Sequence, residues 1–160
     1  MRRRLAALAT LAVLAISPSA HAEVAPDPIG DLLVSALTGS MPGTPDFKMK
    51  ATLYHVGSGG VGALDSLGCK VVAMRTVAID RNLIPRRTVL FIQETVGLPM
   101  PDGRTHDGYW YASDIGGAVK GKTIDLFTGW GRGSMSPFKG MNLSNLSVTK
   151  AGEFKGCPPA

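Results

Sequence analysis

HDGYWYASDIGGAVKGKTIDLFTGWG, residues 106–131, carries two strand signals around a glycine-rich turn. YWYAS (109–113) is an aromatic run, and TIDLFT (123–128) is short and apolar around one carboxylate. Both have the length and composition of strands rather than helices. Gly116, Gly117 and Gly121 punctuate the chain between them, where turn residues belong. Asp114 ends the first strand, and Asp125 sits inside the second.

The same reading extends outward. KMKATLYHV (48–56) alternates, KVVAMRTVAI (70–79) is β-branched, and TVLFIQET (88–95) and LSNLSVTK (143–150) are further strand-like runs. Six short strands with no long helix among them predict an all-β fold, a small closed six-stranded β-barrel. The barrel domain is expected over 47–160. Residues 23–46 read as a leader. Within it, IGDLLVSAL (29–37) has apolar residues at helical spacing and Gly39 to stop it, followed by a Pro/Gly linker.

Residues 1–22 have the three parts of a secretory signal peptide: Arg2, Arg3 and Arg4, an apolar run of about a dozen residues, and Ala20-His21-Ala22. The run is shorter than the roughly 20 residues of a membrane span. The mature protein is therefore expected in the periplasm or outside the cell, without stable membrane insertion. The formal charge is +5, but without the three leading arginines 14 cations face 12 anions. That balance argues against a nucleic-acid partner. Two cysteines and two mature histidines, His55 and His106, give no basis for a metal site or another cofactor. In an exported chain Cys69 and Cys157 favour a disulfide, worth roughly 4 kcal/mol on the loop-entropy model. Two independent thiols are the alternative.

GSGGVG (57–62) fits a dinucleotide fingerprint, with Asp80 at a suitable distance. The fingerprint needs a helix directly after the glycines, and Gly68 comes too soon for one. These glycines read as a mobile loop.

Asp80, Asp114 and Asp125 each end or interrupt a strand-like run. A carboxylate flanked by apolar residues, as Asp125 is, costs several kcal/mol in desolvation unless it is bound or protonated. Burial or a neighbouring carboxylate raises an aspartate's pKa, which suits a general acid. The plainer reading of any one of them is a turn or cap residue accepting backbone N–H groups.

VAIDRNLIP (77–85) together with residues 106–131 resembles the three-aspartate (3D) domain. That domain occurs in membrane-bound lytic murein transglycosylase A and in small exported stationary-phase-survival proteins. The resemblance implies a double-psi β-barrel that cleaves the β-1,4 bond between N-acetylmuramic acid and N-acetylglucosamine in peptidoglycan, leaving a 1,6-anhydro ring. It implies that Asp125 is the catalytic acid, with Asp114 and Asp80 lining the same groove. Gly116, Gly117, Lys120, Trp130 and Tyr54 are the candidate glycan contacts. This chain departs from the family pattern at Arg81, Arg86 and Ile115, where the family often has Pro, Gly and Thr. A non-catalytic glycan-binding or wall-loosening module of expansin type is the competing expectation.

Overall fold

The computed structural model describes residues 44–160. The signal segment, the helix expected at 29–37 and most of the linker lie outside the described residues. Among the described residues no helix is long and apolar enough to cross a membrane.

Six strands follow one another: β1 (Phe47–Val56), β2 (Thr76–Ala78), β3 (Thr88–Ile92), β4 (Tyr109–Asp114), β5 (Thr123–Trp130) and β6 (Asn145–Glu153). They close into a barrel in the order β1-β5-β2-β4-β3-β6. This is the all-β, six-stranded architecture that the spacing of the strand signals predicts. β1 runs parallel to β5, and β2 to β4; the other neighbours are antiparallel. β5 stands between β1 and β2, and β2 between β4 and β5, so neither consecutive pair can be joined by a tight hairpin. The chain between β1 and β2 and between β4 and β5 must therefore travel, and these two crossings carry most of the candidate site.

The core follows the period of two. On β1, Met49 and Ala51 are buried between exposed Lys48 and Lys50. Val77, Leu90, Ile92, Trp110, Ala112, Ile124, Leu126, Leu146 and Val148 extend the interior from the other strands. Burial of each large side chain stabilises by about 1.5–3 kcal/mol. Around Trp110 the polar groups at the edge of this core are paired. The Trp110 indole donates to the Thr95 hydroxyl at 3.0 Å. His106 accepts the Gly108 N–H at Nδ1 (2.8 Å) and therefore donates from Nε2 to the Met74 carbonyl (2.6 Å).

Three segments differ from the sequence expectation. Residues 70–75 do not form the first half of a strand: Lys70 makes an isolated bridge to Leu64, and a turn closes over residues 72–76. The Val72 carbonyl accepts the N–H of Arg75 (3.1 Å) and of Thr76 (2.9 Å), and Met74 takes φ +59°. Local closure wins there over β-branched composition. β3 stops at Ile92, because Thr95 turns its hydroxyl back onto the Ile92 carbonyl at 2.8 Å and Gln93–Thr95 closes a 3-10 turn. Arg132–Met141, where the sequence reading places no element, is a 3-10 segment pinned by buried Phe138, whose ring meets Trp110 at 6.1 Å. Cys69 and Cys157 are joined by a disulfide across a sequence separation of 88.

Candidate active site

β5 lies between β1 and β2, and this fixes what surrounds Asp125. The register sets Asp125 opposite Thr52 on β1 and Ala78 on β2, and Ala78 opposite Asp114 on β4. Residues paired across strands share a face. Thr52, Asp125, Ala78 and Asp114 thus form one row across four adjacent strands. Along β5 side chains alternate, so Ile124 and Leu126 enter the core while Asp125 leaves by the opposite face. The apolar residues that bracket Asp125 in sequence are not what buries it. Its cover comes from Tyr54 on β1 and from residues 59–62 and 115–117, which wall a cleft of about 360 Å³. The small Ala78 side chain floors this cleft between the two carboxylates.

Asp125 is half-buried, and burial pushes its pKa above the ordinary aspartate value. The Thr52 hydroxyl opposes that shift, and the charge of Asp114 adds to it. Thr52 Oγ1 lies 2.8 Å from Asp125 Oδ1 and 3.2 Å from the Ile124 carbonyl oxygen. A hydroxyl has one proton and two lone pairs. Thr52 can therefore donate to the ionised carboxylate. It can also accept from the protonated acid while turning its own proton to Ile124. Asp125 stays partnered in both states. Among the described residues no salt bridge reaches it.

Asp114 is held differently. Its Oδ1 accepts the backbone N–H of Ser66 (3.0 Å) and of Ile115 (2.9 Å), and its Oδ2 accepts the Tyr54 hydroxyl (3.0 Å). Burial first, then the charge and hydrogen bond of Asp114, push the Tyr54 hydroxyl pKa far up, so Tyr54 remains a proton donor. Ser66 is itself fixed. Its hydroxyl donates to the Ser113 carbonyl (2.8 Å), and its carbonyl accepts from Arg86 (3.0 Å). Next to it, buried Asp65 accepts the N–H of Leu67 (3.0 Å) and of Cys69 (2.9 Å), which ties this turn to the disulfide.

Asp80 lies apart from this cleft. It lines an adjoining hollow of about 310 Å³ with Lys120, and the two hollows share Ile115, Gly116 and Gly117. Its carboxylate accepts the N–H of Asn82 (3.0 Å) and of Gly121 (2.8 Å), bonds that lower its pKa. Asp80 thus fastens the turn after β2 to the turn before β5. Gly116 is required by space, since a Cβ there would stand 2.6 Å from Val119 Cγ2. A Cβ at Gly117 would meet nothing within 4 Å, which leaves that side of the cleft open. Trp130 lines neither hollow. It ends β5 with 61% of its surface exposed and its ring edge on Phe127.

Thr52, Ser66, Asp65 and Ala78 were not foreseen from the sequence. Alternation along KMKATLYHV puts Thr52 and Tyr54 on one face, but only the register brings that face beside Asp125. The glycines of residues 59–62, expected as a mobile loop, form part of the cleft wall.

Residues 75–137 match the family model of the 3D domain. No curated protein matches the chain. Similar solved structures include MltA from Escherichia coli with bound chitohexaose, 25% identical with a TM-score of 0.40, covering 57% of this chain and 28% of that one. MltA from Neisseria gonorrhoeae is 24% identical with a TM-score of 0.43, covering 59% and 23%. The lytic transglycosylase LtgG of Burkholderia pseudomallei is 25% identical with a TM-score of 0.39, covering 57% and 28%. The match spans under a third of the length of each of these chains.

Proposed function

We propose that this chain, which carries a 3D domain over residues 75–137, is an exported lytic transglycosylase acting on peptidoglycan. The observation that carries the proposal is Asp125: a half-buried carboxyl in a cleft, with a raised pKa and one swivelling hydroxyl as its partner. Such a group holds its proton more readily than a free aspartate does and can give it up to a substrate oxygen.

Asp125 would protonate the glycosidic oxygen as the bond from the sugar's anomeric carbon breaks. The sugar's own 6-hydroxyl then attacks that carbon, and the resulting carboxylate takes its proton. Atoms and protons balance, Asp125 ends as it began, and no water enters. Ordinary glycosidases need a second carboxyl to activate water or to attack the sugar. Here the internal hydroxyl removes that need, and it is already held near the reacting carbon. Asp114 suits a supporting part, because three donors already occupy its oxygens. Its charge favours the protonated form of Asp125. Asp80 and Lys120 offer hydroxyl contacts for a neighbouring sugar, Gly116 and Gly117 give the polymer access, and Trp130 offers an exposed ring for stacking.

The test is release of soluble fragments from murein sacculi by the mature protein and by Asp125→Asn. Release by the wild type alone, with the variant still folded, supports the proposal. Equal release by the variant overturns it. Binding without release by either protein identifies a glycan-binding module instead.

A further inference from the structure

A second recess begins where the cleft ends. Tyr54 borders the Asp125 cleft on one side and, on the other, a hollow of about 590 Å³. That hollow shares Leu53, Arg132 and Met135 with a further one of about 610 Å³, which adds Ser136, Lys139 and Asn142. Together they make a trough along the 3-10 segment Arg132–Met141. The segment is anchored to the barrel. Thr128 and Ser134 share a hydrogen bond at 2.9 Å, Ser134 donates to the Gly131 carbonyl at 2.8 Å, and the Gly131 N–H donates to the Val56 carbonyl at 3.0 Å. The trough is therefore built onto the ends of the same two strands, β1 and β5, that carry Thr52 and Asp125.

Charge divides cleanly along this path. The cleft is lined by two carboxylates and no cation. The trough is lined by Arg132 and Lys139 and no carboxylate. Among the described residues neither cation belongs to a salt bridge. Leu53 and Met135 give the trough an apolar side. A ligand that suits both ends is uncharged and rich in hydroxyls at one end. At the other it bears carboxylates and small apolar groups.

We propose that the trough receives a short acidic peptide attached to the bound sugar, so that this protein selects peptide-bearing glycan over bare glycan. The inference rests on the proposed glycan cleavage at Asp125 and names the substrate class of that site. Arg132 recognises a peptide carboxylate by paired N–H donors, Lys139 adds a second charge, and Leu53 and Met135 pack against the small side chains.

The experiment compares peptide-bearing glycan strands with the same strands stripped of peptide by an amidase. The substrates are offered to the wild type and to Arg132→Ala/Lys139→Ala, whose replaced side chains are on the surface. Wild type should cleave the peptide-bearing strands roughly tenfold more efficiently, the combined effect of two exposed charge contacts. The double variant should lose that preference while its rate on stripped strands holds, and salt should shrink the preference in the wild type. Equal rates on both substrates, or an equal loss on both in the variant, overturn the inference. Retention on the two polymers by Asp125→Asn is read in parallel. If the wild type cleaves neither substrate, the proposed activity fails, and retention alone decides the trough. Preferential retention of peptide-bearing strands, abolished by adding the two alanine substitutions, supports it, and equal retention overturns it.

Discussion

Replacing Thr52 with Val removes the hydroxyl that touches Asp125 and leaves the shape of the side chain. The effect on the Asp125 pKa follows from the two states that the hydroxyl serves. With Asp125 ionised, the 2.8 Å bond to Oδ1 is charge-assisted, and such bonds contribute about 1.5–3 kcal/mol. With Asp125 protonated, the bond reverses and is neutral, contributing about 0.5–1.5 kcal/mol. Its removal therefore disfavours the ionised form by about 1–1.5 kcal/mol net. At about 1.4 kcal/mol per unit, the Asp125 pKa rises by roughly one unit. Asp125 must carry its proton when the glycosidic bond breaks, so activity falls as pH rises through that pKa. The alkaline limb of the rate profile should then move up by about one unit in Thr52→Val. A carboxyl-carbon NMR titration of Asp125 should show the same displacement without reference to activity. A limb or titration that stays put, or moves down, refutes the role given to Thr52.

The remaining predictions use the same site and its supports. Asp125→Asn should stabilise the fold by about 1 kcal/mol at pH 7, as removing strain at an active site commonly does. A carboxyl whose folded pKa is raised contributes fully below its unfolded pKa of about 3.8 and loses that contribution as pH rises through the folded value. The gain in the variant should therefore vanish in denaturant melts below that pH. Tyr54→Phe should lower stability by about 1 kcal/mol in urea melts, because Asp114 keeps its two backbone donors and loses only the hydroxyl. Cys69→Ser should lower stability by roughly 4–5 kcal/mol on the loop-entropy model for a separation of 88. Reductant should bring the wild type down to that level and leave the variant unchanged.

The barrel was legible because strand runs separated by glycine-rich turns leave few other closed architectures. The limits of the runs were not. Composition favours a strand at 70–75, but Thr76 and the Val72 carbonyl close a turn that only neighbouring strands select. Arg132–Met141 has glycine, serine and proline where a helix pattern would be sought, and its order comes from Phe138 entering the core. At the site, Asp125 was singled out for its apolar neighbours in sequence. Those neighbours face away from it, and its partners are paired across β1 and β2 at separations that no local pattern encodes. Ser66 and Asp65 escape notice for a similar reason, because Ser66 reaches Asp114 through its backbone N–H and Asp65 holds that turn by accepting the backbone N–H of Leu67 and Cys69.

The central claim is that Asp125 transfers a proton while the sugar closes on itself. Digestion of murein sacculi in water enriched in heavy oxygen, with mass analysis of the released ends, tests it most directly. The account predicts muramic acid ends that are one water lighter than hydrolysed ends and carry no label, absent when Asp125 is Asn. Labelled reducing ends, or the same products from the Asn variant, would contradict it.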